Sequence, residues 1–239
     1  MLLTFESRSS SSPFVERIWR CQSHTLGGLF HSMAEGNLEL VITHMPNASM
    51  VTLRGPVTRA VSMACPPDGQ WTAIRFRIGT YFPKIPTALL MNHSDLNFAV
   101  TSNGRFSFEG RTWQLPTYEN AEVFVDRLAR LGSIAMEPAV QGAIRGDQQA
   151  IGLRSVQRRF LHVVGMSHAR FQQVERARDA AERLRSGASI LDVIHDSGYF
   201  DQAHLGRALK RWIGVTPATI AKERIQLSFS YKTKPTLSR

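Results

Sequence analysis

At 239 residues, 43% of them hydrophobic, the chain is long enough for two packed domains of ordinary size and too apolar for global disorder. Its formal charge of +10 is uneven: residues 1–135 hold 12 Lys+Arg against 10 Asp+Glu, a net +2, while residues 136–239 hold 17 against 9, a net +8. The second part therefore suits a polyanion, and no apolar run approaches the ~18 residues that would make a membrane span the better reading. The opening MLLTFESRSSSSPF has no apolar core of signal-peptide length, so the expected location is the cytoplasm. Cys21 and Cys65, far apart and without a neighbour at metal-ligand spacing, argue against a disulfide framework and a Cys-type zinc site; both read as small buried apolar residues.

In chain order, residues 1–18, with Arg8, Ser9 to Ser12 and Pro13, form a low-complexity leader with little to bury and are expected to be mobile. From Trp19 to about Thr112 come short apolar runs separated by Gly, Pro and Asn: Leu38–Thr43, Met50–Leu53, Val57–Met63 and Trp71–Ile78. Within the last, Ala73-Ile74-Arg75-Phe76-Arg77-Ile78 alternates strictly, which is the period of a half-buried strand. Phe106–Phe108 and Thr112–Leu115 flank Glu109-Gly110-Arg111, a hairpin with Gly110 in its turn. Short strands at this spacing predict an antiparallel sandwich or barrel.

His24, His31, His44, Glu35 and Glu39 are donors of the kind that hold iron or zinc in double-sheet barrels. No His-x-His pair precedes a carboxylate at a defined offset, however, and Glu35-Gly36-Asn37 reads as a turn, so no metal is expected. A Gly-rich phosphate loop, a nucleophile elbow and a Cys/His pair in context are also missing, which points away from an enzyme. Asn120–Leu131 is predicted helical, with Ala121, Phe124, Leu128 and Leu131 on one stripe and Gly132 at its end. That stripe suits packing on its own domain and pairing with a second copy equally well, making Phe124, Leu128 and Leu131 candidate dimer residues. The boundary falls near residue 134, in a stretch punctuated by Gly132, Pro138, Gly142 and Gly146.

Beyond it, Gln149–Val164 contains a predicted helix with Leu153, Val156, Phe160 and Val163 inward, leaving Arg154, Gln157, Arg158 and Leu161 on the far side. Arginine and glutamine make paired hydrogen bonds to guanine and adenine edges. Gly165 ends this helix, and a long one follows from His168 to Arg185, with Phe171, Val174, Ala177, Ala181 and Leu184 on its apolar stripe. Ser189–Pro217 then holds a short helix, a turn at Ser197-Gly198-Tyr199 and a second basic helix. Asp201 stands at that helix's N-cap position, and Leu205, Leu209 and Trp212 form its inner stripe. Its outer face carries Ala203, Gly206, Arg207 and Lys210, with Gln202 at the leading edge; small residues beside long basic ones suit close approach to a major groove.

These segments carry a specific resemblance. Gly152 to Phe160 (GLRSVQRRF), Gly165-Met166-Ser167, Gly198 to Arg211 (GYFDQAHLGRALKR) and Gly214-Val215-Thr216-Pro217, in that order, resemble the DNA-binding domain of the AraC/XylS family of bacterial transcriptional regulators over about residues 136–221. The resemblance implies two helix-turn-helix units held by the long helix, their recognition helices entering successive major grooves on one face of the duplex. Base-facing residues are then Arg154, Gln157 and Arg158 in the first unit and Gln202, Ala203, Gly206 and Arg207 in the second. Ser155, His204, Lys210 and Arg211 fall on the backbone or supporting side, and Gly198 makes the turn. Two positions depart from the family pattern: Gly152 replaces a helix-starting Ser, and Ile194 replaces a small Ala, implying wider packing between the two helices of the second unit. Trp19, Ala34-Glu35-Gly36, Gly55-Pro56 and Pro116 to Glu122 are similar to the companion domain of one AraC-type subgroup, implying a cupin-like barrel.

The expected fold class is α+β in two domains: an N-terminal antiparallel, cupin-like β barrel with a following helix, and a C-terminal all-α domain. The expected ranges are a leader at 1–18, a β-rich regulatory or dimerisation domain at 19–134, a DNA-binding domain at 135–221 and a basic flexible tail at 222–239. The implied function is sequence-specific transcriptional regulation on the nucleoid, with double-stranded DNA, RNA polymerase and a second copy of the chain as partners. No cofactor is expected, and any small-molecule effector is unidentified. The alternative is a cupin-type metal-binding enzyme or sensor with an accessory DNA-binding half.

Overall fold

The computed structural model describes residues 3–23, 28–147 and 151–223, so His24 and nearly all of the tail lie outside the described residues. Eleven strands come first: β1 (Leu3–Ser9), β2 (Val15–Ser23), β3 (Gly28–Ser32), β4 (Glu39–Met45), β5 (Ala48–Arg54), β6 (Val61–Cys65), β7 (Gln70–Phe76), β8 (Thr80–Tyr81), β9 (Leu96–Ala99), β10 (Arg105–Phe108) and β11 (Arg111–Gln114). Six make one antiparallel sheet in the order β1-β2-β7-β4-β5-β9. The register sets Ile18 opposite Ile74 and Ile74 opposite Leu40, so alternate residues share a face. On that face Ile18, Leu40, Ile42, Val51, Leu53, Ile74 and Phe76 are buried in one core with Phe106, Phe108 and Trp113 of the β10–β11 hairpin.

Helix α1 (Ala121–Arg130) completes this core with Ala121, Phe124, Val125 and Leu128. Phe124 and Leu128 thus take the first of the two roles their stripe offered, while Leu131 is 42% exposed at the helix end. The antiparallel β-rich domain with a following helix is as expected; hairpin and helix, rather than strand pairing alone, cover the inner face of the sheet.

Two expectations are corrected here. Most of the leader is not a mobile tail: β1 pairs with β2 from Leu3 opposite Ser23 to Ser9 opposite Arg17. An edge strand needs backbone hydrogen bonds and one half-covered face, which a Ser-rich sequence can supply. Phe5 lies against Trp19, with ring centroids 5.9 Å apart, and Arg8 is ion-paired with Glu122 on α1. Val57–Met63 is not one strand either, because Val57 makes an isolated bridge to Glu35 and the strand begins at Val61.

After β12 (Ala135–Met136), which pairs with β8, the remaining elements are helices: α2 (Pro138–Arg145), α3 (Leu153–Val164), α4 (His168–Arg185), α5 (Ile190–Asp196), α6 (Gln202–Trp212) and α7 (Pro217–Glu223). Helix α2 occupies the Pro- and Gly-punctuated stretch expected to hold the domain boundary. Its Pro and Gly are helix punctuation: Pro138 stands at the first position, Gly146 caps the end at φ 75°, and the Glu137 side chain accepts from the Ala139 N–H at 3.2 Å. The structure divides into two compact units, one holding most of the chain up to Val174 and the other holding Leu29–Met33, Arg59–Met63 and the chain from Glu175 onward. No helix among the described residues is long and apolar enough to cross a membrane.

Candidate nucleic-acid interface

In the first unit α2 and α3 share a core of Val140, Phe160, Val163, Val164, Met166 and Phe171, which Ile78 and Tyr81 of the sheet domain also join. The Thr87 hydroxyl donates to the Val163 carbonyl at 2.9 Å, fixing the end of α3 against the same domain. With Val156, Phe160 and Val163 buried, Arg154, Gln157 and Arg158 are all exposed, and no ion pair holds either arginine among the described residues. Arg159, next along, is instead ion-paired with Glu137 at 3.0 Å, and Ser155 is half-buried.

Leu153 departs from its expected inward position, being 72% exposed. The helix starts at Leu153, and the Cα–Cβ bond of a first-turn residue tilts toward the N-terminus, past the packed turns. Gly152 caps α3 through its backbone alone, its carbonyl accepting from the Ser155 N–H at 2.9 Å, with no side-chain cap.

The second unit is built around a tight turn. The Ser189 hydroxyl opens α5 by accepting from the Asp192 N–H at 3.1 Å, and Gly198 at φ 67° reverses the chain into α6. The Tyr199 N–H bonds the Ile194 carbonyl at 3.2 Å; the Arg176 guanidinium lies over the buried Tyr199 ring, 4.9 Å from its centroid, and the His204 ring meets it edge-on at 5.2 Å. Burial pushes the Tyr199 phenol above its ordinary pKa. Asp201 accepts from the His204 N–H at 2.6 Å as a side-chain N-cap, and His204 Nδ1 accepts in return from the Phe200 N–H at 3.3 Å. This reciprocal arrangement resembles a capping box displaced by one residue. It commits one ring nitrogen of His204 to the turn.

Leu205, Leu209 and Trp212 seat α6 through fully or nearly fully buried side chains. Gln202, Ala203, Arg207 and Lys210 are exposed and Gly206 is half-buried. Ala203 and Gly206 leave a groove of about 490 Å³ between α6 and the start of α7, and a Cβ built on Gly206 would meet nothing within 4 Å. Long side chains at Gln202 and Arg207 thus flank a depression rather than a ridge. Arg211 lies over the Trp212 ring at 4.5 Å, and Ile194 is half-buried beside the fully buried Val193.

Residues 147–223 match a family model described as a helix-turn-helix domain. The chain therefore carries an AraC-type helix-turn-helix domain. Such a domain is the DNA-binding part of transcription regulators, and DNA binding in transcription regulation is the function it brings to this chain. Among solved structures the chain is similar to ToxT from Vibrio cholerae, determined at 1.65 Å, with 11% identity, 94% of this chain and 99% of that chain covered, and a TM-score of 0.43. No curated protein matches the chain.

Outside the AraC-type domain, Glu35, Glu39 and His44 each have a partner. Glu35 and Glu39 surround the buried Arg75, whose Nη1 lies 2.6 Å from Glu35 and 3.2 Å from Glu39, while its Nη2 donates to Asn37 at 2.6 Å. His44 Nδ1 is 2.8 Å from the Ser49 hydroxyl across the β4–β5 hairpin, and His31 stands on β3. Burial, then the charge of Glu35, pushes the Glu39 carboxyl up to about 7. Cys21 and Cys65 are both buried, and burial raises the Cys21 thiol to about 12, which leaves it a small apolar residue rather than a nucleophile.

Proposed function

We propose that the protein regulates transcription by binding a specific promoter sequence through α3 and α6, each entering a major groove. The observation that carries this reading is the repeated face: Arg154, Gln157 and Arg158 on α3, and Gln202, Ala203, Gly206 and Arg207 on α6, oppose side chains buried in a core. Arginine forks onto guanine and glutamine onto adenine supply sequence choice, while Lys–phosphate and Arg–phosphate contacts supply most of the affinity through counterion release. Ser155, Lys210 and Arg211 serve the phosphate side. His204 supports the turn through Nδ1 and leaves Nε2 for a phosphate.

The β-rich domain takes the regulatory part, sensing an effector or pairing with a second copy. A cavity of about 640 Å³ opens on the polar end of the sheet's inner face, lined among others by Glu6, Arg20, His44, Gln70, Tyr118 and Glu119. Arg20 is held there over the Tyr118 ring at 4.5 Å and is ion-paired with Glu6 and Glu119. Such a preformed polar site suits a small polar effector.

The direct test is Arg207→Ala, measured on a cognate and a random duplex. The reading expects a loss of about 1–3 kcal/mol on the cognate site only, with relaxed base preference at one position. Equal weakening on both duplexes would overturn the base-reading role.

A further inference from the structure

The two helices α3 and α6 can be aligned by their caps. Gly152 and Asp201 are the N-caps, so Leu153 and Gln202 are the first residues of their helices, Arg154 and Ala203 the second, Gln157 and Gly206 the fifth, and Arg158 and Arg207 the sixth. Every position assigned to base reading on one helix thus has an assigned counterpart on the other, with one exception. Gln202 is matched by Leu153, a residue that periodicity would place in the core.

Leu153 is 72% exposed, among the most exposed large apolar side chains of the described residues, and it lies one turn before Gln157 on the same face. On a wheel of 100° per residue, Leu153, Gln157, Leu161, Arg154 and Arg158 share an arc of roughly 140°. The N-terminal turn of a recognition helix is the part that approaches base edges. An isobutyl group there has no hydrogen bond to offer, and the one apolar feature the major groove displays is the 5-methyl of thymine.

Resting on the reading of α3 as a recognition helix, we propose that Leu153 is a specificity-determining residue that selects a thymine by packing on its 5-methyl group, beside the bases met by Arg154 and Gln157. The second unit places an amide at the same position and so selects a polar edge; the two units would read different base types at their first position.

The test uses the full-length protein and a duplex enriched by it from a random pool. Each thymine in turn is replaced by deoxyuridine, which removes the 5-methyl and nothing else, and binding is measured for the wild type, Leu153→Ala and Leu161→Ala. One substitution is expected to weaken the wild type roughly fourfold, the worth of one buried methyl-sized group. Leu153→Ala is expected to be insensitive to that same substitution, while Leu161→Ala, near the other end of α3 and 54% exposed, keeps the full loss. Because Leu153 lies outside the core, its truncation leaves the fold intact, which an unchanged thermal midpoint verifies. A selective protein that tolerates deoxyuridine everywhere, or a loss that persists in Leu153→Ala, overturns the assignment of Leu153 alone; a wild type that enriches no sequence overturns the recognition-helix reading beneath it.

Discussion

Arg75 is a buried cation that gathers the carboxylates of Glu16, Glu35 and Glu39 from neighbouring segments. It is almost completely buried, and burial alone would lower its pKa, yet the carboxylates of Glu35, Glu16 and Glu39 more than offset that and hold it above its ordinary value. Burial, then the charge of Glu35, raises the most deeply buried carboxyl, Glu39, against the opposing charges of Arg75 and Arg54. Glu39 in the folded chain therefore holds its proton to about pH 7, against an ordinary value of 4.5. Its contribution to stability is complete below about pH 4.5 and is lost as pH rises through about 7. Thermal midpoints measured across this interval should fall with rising pH, and Glu39→Gln should flatten the fall; identical slopes would contradict the account. Below that window the sign reverses, since the hydrogen bond from Arg8 holds the Glu122 carboxyl under its usual range and its stabilisation is lost on acidification.

At the scale of the element, the caps decide how firmly each recognition helix begins. Asp201→Ala removes the carboxylate that accepts from the His204 N–H and should destabilise the second unit by about 1 kcal/mol. Gly152 already lacks a side-chain cap, but a glycine at this position is worse than serine by only a few tenths of a kcal/mol, so Gly152→Ser should stabilise by roughly that amount. Denaturant midpoints at constant slope distinguish the two magnitudes, and a Gly152→Ser gain as large as the Asp201→Ala loss would show that α3 is frayed at its start.

The same elements mark what the sequence made legible. The inner stripes of α4 and α6 were visible because leucine, alanine and aromatic residues recur there at helical period, and the structure buries every one of Phe171, Val174, Ala177, Ala181, Leu184, Leu205, Leu209 and Trp212. Helix α2 is hidden in the sequence because Pro138 and Gly146, which suggest a domain boundary, are the start and stop of a helix. Strand β1 was hidden by composition: its serines say little about burial, while its backbone pairs residue by residue with β2. Leu153 was misplaced because periodicity treats every leucine alike and takes no account of where the helix begins. In the β-rich domain, Glu35 and Glu39 gave no sign in one dimension that both face a buried arginine on a neighbouring strand.

At the scale of the molecule, charge and fold agree. The net +8 of residues 136–239 belongs to the part that carries the AraC-type domain, and the exposed bases Arg154, Arg158, Arg207 and Lys210 stand on the outer faces of its two basic helices. The β-rich domain, at net +2 over residues 1–135, has its own core and its own polar cavity. The central claim is that both helices read bases, and it is tested most directly by selecting bound duplexes from a random pool with the full-length protein. The account predicts one enriched site with two conserved blocks about 10 base pairs apart, centre to centre, as two major-groove contacts on one face require. Recovery of a single block, or of no sequence preference with a steep salt dependence, would contradict it.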